Sequence, residues 1–452
     1  MPLDLESIKR ERVVNISREK VSAPLFRRGL RRYRQLSSVY PTHRVFAYFA
    51  NRVAVRVRAF LKSRWMRLGA LARTLKRRAW GIQSSMEDAL VYCVRLSGGL
   101  GDALIIARMV RDLQAELSAH AKFDIVFHSP KAVQPFFEGI TGFRRTLPDE
   151  EFSAVAYRYD VVLVANQFLT FFNGIPDRAR IIRRFPAIVT MFDRVQEELK
   201  AIDVYVKVHP ALDGAFADLA VAQGHKRHTY LHEMLGIPYR GDRLVLPTDR
   251  GLIACLGLQE GSYVTVHNGW DANFKMVTER PTKALPLDSW VKIVAEIKSM
   301  RPDLRIVQLG GKTGEDIPGV DVNLKNKLKF MESVSVLAGS CLHVDTESGL
   351  VHAAACLGVR SVVMFGPTNV DWFGYSQNIN VAPKQCGNCW WGSDSWMDIC
   401  VMGHEPAICT SRSSISPVEV ARRAVSALRD PPGEVCGRSG VELNAFTKTA
   451  GQ

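Results

Sequence analysis

The sequence lacks any apolar run of the ~20 residues that a membrane-spanning helix needs, although 47% of its 452 residues are hydrophobic. Residues 1–6, MPLDLE, lack the basic and apolar pattern of a secretory signal peptide. We therefore expect a cytoplasmic protein with enough apolar material for two or three folded domains. Nine cysteines, an odd number without a secretory signal, argue against a disulfide framework.

Acidic residues are scarce in residues 1–80, where 4 Asp or Glu stand against 21 Lys or Arg. This segment, the basic arm, has a net charge of +17, while the whole chain has +15. The rest of the chain is therefore close to neutral. Apolar residues recur in the arm mostly every three or four positions with basic residues between them, which predicts one or two basic amphipathic helices. These apolar residues are Phe46, Phe49, Val53, Val57, Phe60, Leu68, Leu71 and Leu75.

Three interpretations of the basic arm compete, and the third is disfavoured. Its helices could pack on the rest of the protein and leave a solvated basic face. They could instead attach to the anionic inner face of the cytoplasmic membrane, where each basic residue contributes about 1 kcal/mol. We expect no nucleic acid, because no zinc finger or RNP motif accompanies the charge. Asp4, Glu6 and Glu11 argue against a transit peptide.

The chain has no dinucleotide fingerprint of the form G-x-G-x-x-G, but a glycine loop follows its predicted first strand, residues 89–96. The loop contains Gly98, Gly99 and Gly101, and it ends at Asp102, where a helix is predicted to begin. Glycines let another molecule approach the backbone closely. Taken alone, Asp102 is either a helix cap or a functional carboxylate.

A parallel βαβ unit is predicted in residues 342–368, which read as a strand, a polar turn, an alanine-rich helix and a second strand ending in Gly-Pro. The turn holds Glu347, Ser348 and Gly349. A helix N-terminus binds phosphate through its unpaired N–H groups and the positive end of its dipole, and Glu347 can accept two hydroxyls, as a ribose offers. The alternative is an ordinary turn in which Glu347 or Ser348 caps the helix.

The run Glu347-Ser348-Gly349-Leu350-Val351-His352, a small-residue helix and Phe365-Gly366-Pro367-Thr368 together resemble the donor-binding motif of glycosyltransferase family 9, the heptosyltransferase-like enzymes. The resemblance extends over residues 88–428. It implies an α/β fold of the GT-B type, in which two Rossmann-like domains face each other across a cleft. The first would span 88–250 and bind the acceptor, and the second would span 252–430 and bind the nucleotide sugar. A disordered tail, 431–452, is predicted to follow.

The resemblance also implies roles for single residues. Asp102 would be the catalytic base, and Lys283, in a Lys-x-x-Pro element, would neutralise the leaving diphosphate. The predicted donor-binding residues are His267, Asn268, Lys283, Glu347, Ser348, Gly349, Leu350 and His352, and the glycines of the first loop, Gly98, Gly99 and Gly101, would face the acceptor. No catalytic divalent metal is expected.

The implied reaction moves a heptose or related sugar from a nucleotide diphosphate to a cell-envelope glycan such as lipopolysaccharide core or O-antigen, with inversion at the anomeric carbon. One alternative is a transferase that modifies proteins, as the autotransporter enzymes do. Another is a degenerate transferase without activity, which binds a membrane or a partner.

Four cysteines, Cys386, Cys389, Cys400 and Cys409, form a C-x2-C-x10-C-x8-C pattern in a segment, 384–412, that we call the finger. Four thiolates at such spacings suit a tetrahedral structural zinc or iron. The alternative is four reduced cysteines in a tryptophan-rich loop. The pattern is similar to the iron finger of the related autotransporter heptosyltransferases. His225, His228 and His232 lack the H-E-x-x-H arrangement, so we do not expect them to bind metal.

Overall fold

The computed structural model describes residues 4–17, 24–54, 57–58, 61, 89–117, 121–172, 174–175, 178–272, 274 and 276–429. The predicted tail, 431–452, lies outside these residues, as do Phe60 and the whole arm beyond residue 61, including Leu68, Leu71 and Leu75.

The strands are β1 (Leu90–Leu96), β2 (Ala121–Phe127), β3 (Phe143–Pro148), β4 (Val161–Ala165), β5 (Leu169–Phe171), β6 (Tyr263–His267), β7 (Arg305–Leu309), β8 (Val322–Asn323), β9 (Leu342–Thr346), β10 (Ser361–Met364) and β11 (Ile379–Val381). Short 3-10 turns lie at Gln134–Phe136, Asp149–Glu151, Ala156–Arg158 and Ile408–Thr410.

The helices are α1 (Leu5–Ser17), α2 (Pro24–Ser37), α3 (42–54), α4 (Leu100–Leu117), α5 (Pro130–Val133), α6 (Phe152–Val155), α7 (Arg178–Arg184), α8 (Pro186–Ala201), α9 (Asp203–Val208), α10 (Asp213–Ala222), α11 (Tyr230–Leu235), α12 (Arg250–Cys255), α13 (Leu287–Met300), α14 (Phe330–Ala338), α15 (Gly349–Leu357), α16 (Val370–Phe373) and α17 (Pro417–Arg429). None of the described helices combines the length and apolar character required to cross a bilayer.

The first sheet has the strand order β3-β2-β1-β4-β5 and is parallel except for β5, which runs antiparallel to β4. The chain builds β1, β2 and β3 outward in one direction and then returns to place β4 on the other side of β1. This reversal is a topological switch point, where the loops after neighbouring strands diverge and leave a crevice. The predicted glycine loop follows β1 and therefore lies at that crevice.

The second sheet has the order β11-β10-β9-β6-β7-β8 and is parallel throughout. All five residues of β6 and all five of β9 are buried, as expected for central strands covered on both faces. Its switch point lies between β6 and β9, where His267 pairs in register with Asp345. The turn with Glu347 and Ser348 follows β9, so it lies at the second crevice.

The two sheets belong to two Rossmann-like domains that meet through α4 and α15. The main apolar core runs from the first sheet through these helices to one face of the second sheet, and α13 and α17 cover the opposite face. The predicted fold class, an α/β GT-B fold with a helical N-terminal extension, is confirmed. The domain boundaries at 88, 250 and 252 remain predictions.

The described part of the basic arm packs on the body of the protein. Ile16 of α1 contacts Ala211 and Leu212, and residues of α2 and α3 contact the loop after β6 and the finger. Arg12 donates to the carbonyl of Ala211 and, at 3.0 Å, to Asp394 of the finger. Arg31 and Arg32 each lie 2.9 Å from a finger carboxylate, Asp394 and Asp398 respectively. The packing interpretation therefore holds for α1 and α2.

Candidate functional site

The two loops at the switch points touch each other. A Cβ added to Gly101 would lie 2.6 Å from Cδ2 of His352 and 3.1 Å from Cα of Gly349. Since both distances are shorter than ordinary contacts, only glycine fits at this position without displacing α15. The first turn of α4 and the first turn of α15 are thus held side by side, and the residues predicted for the acceptor and the donor are brought together.

Asp102 lies in the first turn of α4 with both carboxylate oxygens engaged. Oδ2 accepts a hydrogen bond from the N–H of Gly99 at 3.1 Å, and Oδ1 accepts one from Nη2 of Arg227 at 2.8 Å. Gly98 has φ of +109°, and a Cβ there would lie 2.4 Å from Oδ2 of Asp102. The loop therefore requires glycine to wrap around the carboxylate, and Arg227 fixes its orientation.

Sequence reasoning missed Arg227, because it lies in a polar run between histidines that resembles a solvated surface. The side chain is only 1% exposed, and it also donates to the carbonyl of Asn166 at 3.1 Å. Its backbone N–H bonds to the carbonyl of Trp372, so Arg227 connects the first domain to α16.

Lys283 and Glu347, predicted to contact neighbouring parts of one nucleotide, lie next to each other. Nζ of Lys283 donates to the carbonyl of Glu347 at 3.1 Å and lies 3.6 Å from its Oε2. Nε2 of His352 lies 3.7 Å from Oε1. Burial alone raises the pKa of Glu347, but the charge of Lys283 and the contact with His352 outweigh it and hold that pKa below its ordinary value. Glu347 is therefore a carboxylate at neutral pH.

Both ring nitrogens of His352 have partners within the described protein. Nδ1 lies 2.7 Å from the hydroxyl of Tyr375, which also accepts from the fully buried Arg108. His352 thereby links Glu347 to a buried pair that the sequence did not indicate. In this arrangement it orients Glu347, and its direct contact with phosphate remains a prediction.

A buried carboxylate, Asp345, organises the floor of the second crevice. Nδ1 of His267 lies 2.9 Å from its Oδ1, Nε2 of His343 lies 3.1 Å from its Oδ2, and the hydroxyl of Ser348 donates to it. Burial raises the pKa of Asp345, but His267 and His343 outweigh it and bring the pKa to about 2. Ser348 also accepts from the N–H of Leu350 at 3.2 Å, so it caps α15.

These contacts assign supporting positions to His267 and Asn268. The ring of His267 lies against Asp345, while Asn268 donates to the carbonyl of Glu315 at 2.8 Å and accepts from Gln308 at 3.1 Å. Both side chains hold the loops after β6 and β7 in place. Their predicted contacts with the donor are untested by this geometry.

A cavity of about 900 Å³ adjoins the loop that carries Lys283. It is bounded by the arm, the finger and the loops after β6 and β7, and Thr282 and Ala284 line it on either side of Lys283. Lys283, Glu347 and Asp102 do not line it. The cavity is therefore separate from the place where the two switch points meet.

The four finger cysteines are reduced, and three of them are buried. Burial raises the pKa of the Cys389 thiol, and the other three finger thiols raise it further. Burial is also the main reason that the pKa of Cys409 is raised to about 12, with smaller contributions from Cys386 and Cys400. Cys386 and Asn388 have positive φ, which non-glycine residues rarely adopt. However, no group of three His, Cys, Asp or Glu in the described residues is placed to hold a metal ion. Metal binding by these four thiols therefore stays a prediction.

The three histidines near residue 230 lie apart from the finger and have partners of their own. His232 is 2.9 Å from Asp112, and His225 lies against Glu233. His228 stacks on Tyr375, and its pKa is lowered to about 3 by burial and then by Arg108. These contacts give the histidines structural positions.

Comparison with known proteins supports the resemblance. Residues 274–391 match the model of glycosyltransferase family 9 (heptosyltransferase), and no curated protein sequence matches the chain. Similar solved structures include ADP-heptose lipopolysaccharide heptosyltransferase II of E. coli. It is 15% identical, the match covers 75% of this chain and 99% of that chain, and the TM-score is 0.46.

Two further solved structures have comparable similarity. A family 9 glycosyltransferase of Veillonella parvula has 15% identity over 76% of this chain and 98% of its own, with a TM-score of 0.49. The iron-containing dodecameric glycosyltransferase TibC of enterotoxigenic E. coli has 14% identity over 76% of each chain, with a TM-score of 0.47. Through the matched segment, the predicted resemblance to family 9 is confirmed.

Proposed function

We propose that this chain, a heptosyltransferase-like glycosyltransferase by its family 9 segment, moves a sugar from a nucleotide diphosphate to a hydroxyl of a cell-envelope glycan. One observation carries the proposal: the first turns of α4 and α15 touch, so a carboxylate, Asp102, lies beside a turn suited to a nucleotide diphosphate. The heptosyltransferases among the similar structures, described with ADP and ADP-heptose, make a heptose the first candidate sugar.

In the proposed reaction, the acceptor hydroxyl attacks the anomeric carbon as Asp102 takes its proton. The new bond joins the acceptor oxygen to the sugar, and the bond from the sugar to the diphosphate breaks with its electron pair on the diphosphate. General-base assistance of this kind contributes about 10²–10⁴-fold. Direct displacement inverts the anomeric configuration. Arg227 acts as a positioning residue, because it holds the Asp102 carboxylate without facing the substrates.

The departing diphosphate would be stabilised by Lys283 and by the N-terminus of α15, where fixed positive charge acts on negative charge that develops in the transition state. Lys283 is already drawn to Glu347 in this structure. A diphosphate would compete for that ammonium group, and Glu347 would then turn to the ribose hydroxyls. The side-by-side placement of the two residues supports this division, since ribose and diphosphate are adjacent in a nucleotide.

A panel of nucleotide sugars tests the function. Binding to the folded state raises its free energy of unfolding, by ~2.7 kcal/mol at about 100 times the Kd. We expect one or a few donors, ADP-heptose first, to raise the melting temperature, and Lys283→Ala to reduce that rise. Nucleotide binding without transfer to any glycan or protein acceptor would instead support the alternative of a degenerate, non-catalytic transferase.

We also propose that α3 attaches the protein to an anionic membrane surface. Phe46 is 69% exposed and Val53 is 59% exposed, although both belong to the apolar pattern of the arm. Arg52 and Arg58 stand on either side of Val53 in the sequence. An exposed apolar stripe bordered by basic residues is the pattern of helices that lie in a membrane interface. In this proposal α1 and α2 hold the arm to the body, and α3 faces the lipid.

Finally, we propose that the finger binds one structural zinc or iron ion. Its four thiols are the donor set that these metals prefer, but binding would require the loop to close around the ion, since the described residues are not placed to hold one. No step of the proposed transfer depends on this metal.

A further inference from the structure

We propose that Asp398 is a positioning residue for Lys283, so that the finger and the basic arm together hold the lysine where the donor diphosphate would bind. The inference rests on the proposed function, because the role of Lys283 comes from it. We call residues 276–286 the lysine loop. It forms the last part of the connection from β6 to α13 and contains neither helix nor strand.

Asp398 joins three parts of the chain through one buried carboxylate. Oδ1 accepts hydrogen bonds from the N–H groups of Val277 and Thr278 at 2.6 and 3.3 Å, at the start of the lysine loop. Oδ2 accepts from Nη2 of Arg32 in α2 at 2.9 Å. The side chain has no exposed surface. Since a buried carboxylate is costly unless it is paired, Asp398 requires its bonds to the loop and to the arm, and it thereby joins them.

The finger also holds the other end of the lysine loop, at the residue before Lys283. The N–H of Thr282 donates to the carbonyl of Met397 at 2.9 Å, and its hydroxyl donates to the carbonyl of Trp396 at 2.7 Å. The hydroxyl of Thr410 donates to the carbonyl of Thr282 at 3.3 Å. The polar groups of Thr282 are thus bonded to the finger, which fixes the backbone from which Lys283 extends.

Apolar contacts connect the same three parts. Leu36, Val45 and Tyr48 of the arm form a small buried cluster with Val277 of the lysine loop and Ile399 of the finger. The hydroxyl of Tyr40 donates to the carbonyl of Asp398 at 2.8 Å. The side chain of Asp398 thus has no exposed surface, and hydrogen bonds in such surroundings are stronger than in water.

A loop held in this way affects ligand binding as well as stability. When only a fraction of molecules has Lys283 in the binding position, the apparent affinity for a diphosphate is the intrinsic affinity multiplied by that fraction. Asp394 provides the contrast. It lies four positions earlier in the same finger, is also buried, and binds Arg12 and Arg31 of the arm. In the described structure its ion pairs are with the arm, and none reaches the lysine loop.

The test compares Asp398→Asn with Asp394→Asn in the full-length chain, using ADP and UDP as probes in calorimetry. We expect Asp398→Asn to weaken nucleoside diphosphate binding about ten-fold, the loss typical of a hydrogen bond to a charged group. Asp394→Asn should leave the Kd within about two-fold. Hydrogen exchange at the amides of Val277 and Thr278 should accelerate in Asp398→Asn alone.

If Asp398→Asn fails to fold, the comparison is made within the arm. Arg32→Met then replaces Asp398→Asn, and Arg12→Met replaces Asp394→Asn.

The possible results of this test separate a failure of the inference about Asp398 from a failure of the proposed function. Equal weakening by both finger variants would overturn the inference, because general loosening of the finger or release of the arm would then be the cause. Unchanged binding in Asp398→Asn, with weaker binding in Lys283→Ala, would also overturn it while leaving the proposed function intact. Failure of the unaltered protein to bind any nucleoside diphosphate would reject the proposed function itself.

Discussion

Arg227 donates to Asp102 at 2.8 Å from a side chain that is almost entirely buried. Because the second carboxylate oxygen accepts from Gly99, Asp102 is held in one orientation at the start of α4. A fixed carboxylate of this kind suits a general base, which must meet the acceptor hydroxyl in a defined geometry. The same two contacts are compatible with a helix-capping role and with the proposed catalytic role of Asp102.

Asp102→Asn should fold normally and bind donor, yet lose transfer by about 10²-fold or more, because the amide keeps the shape of the carboxylate but cannot accept a proton. Single-turnover transfer at saturating donor measures the effect. Glu116→Gln, the same change at the far end of α4, is the matched control and should retain full activity. Turnover close to that of the unaltered protein in Asp102→Asn would reduce Asp102 to a cap.

Lys283→Ala and Glu347→Gln should weaken different parts of nucleotide binding. The lysine variant should lose affinity for ADP and keep its affinity for adenosine, since the ammonium group is proposed to contact the diphosphate. The glutamine variant should lose affinity for both, since Glu347 is assigned to the ribose. Calorimetry with the two ligands separates these effects, and Lys292→Ala on the exposed side of α13 is the control. Both variants binding ADP as tightly as the parent would contradict the donor site.

Phe46→Ser combined with Val53→Ser should reduce binding to vesicles that contain phosphatidylserine, because these exposed side chains would enter the membrane interface. Binding of the unaltered protein should weaken as salt rises, since the Debye length is only ~8 Å at physiological ionic strength. Val245→Ser changes an equally exposed residue, 75% accessible, on the body of the protein. Equal vesicle binding by the two altered proteins would exclude α3 as the membrane contact.

Protein purified without chelators or a histidine tag should contain about one zinc or iron per chain, because four thiols in one short loop can couple metal binding to local folding. Elemental analysis measures it. Cys386→Ser with Cys389→Ser should release the metal and loosen residues 384–412, while Cys93→Ser in β1 should not. Less than about a tenth of an equivalent of any transition metal would contradict the finger as a metal site.

The sequence was most informative where function depends on local motifs. The glycine loop after β1 and the turn after β9 were both predicted, and strand order explains why they occupy the two crevices. The partners that orient the site were not predictable in the same way. Arg227 lies 125 positions from Asp102, and Asp398 lies 366 positions from Arg32. Such pairs depend on the tertiary fold and leave no periodic pattern in the chain.

The charge of the arm was likewise insufficient to predict what the arm contacts. Its excess of arginine was compatible with solvent, membrane or nucleic acid, because composition alone does not identify the opposing charge. In the structure, Asp394 and Asp398 supply that charge to α1 and α2. The most exposed apolar side chains of the described arm, Phe46 and Val53, lie in α3, so this helix packs through Val45 and Tyr48 and also presents an apolar surface of its own.

Arg12 has a mechanical consequence for the molecule. It holds the carbonyl of Ala211, which precedes α10, and the carboxylate of Asp394 in the finger. These two attachment points lie on parts of the chain that also contact each other, because Asp218 of α10 accepts a hydrogen bond from Asn388 of the finger at 2.9 Å. Movement of α10 away from the finger would therefore have to break the bonds of Arg12 as well as that contact. The arm is in this sense a clamp over the seam between α10 and the finger.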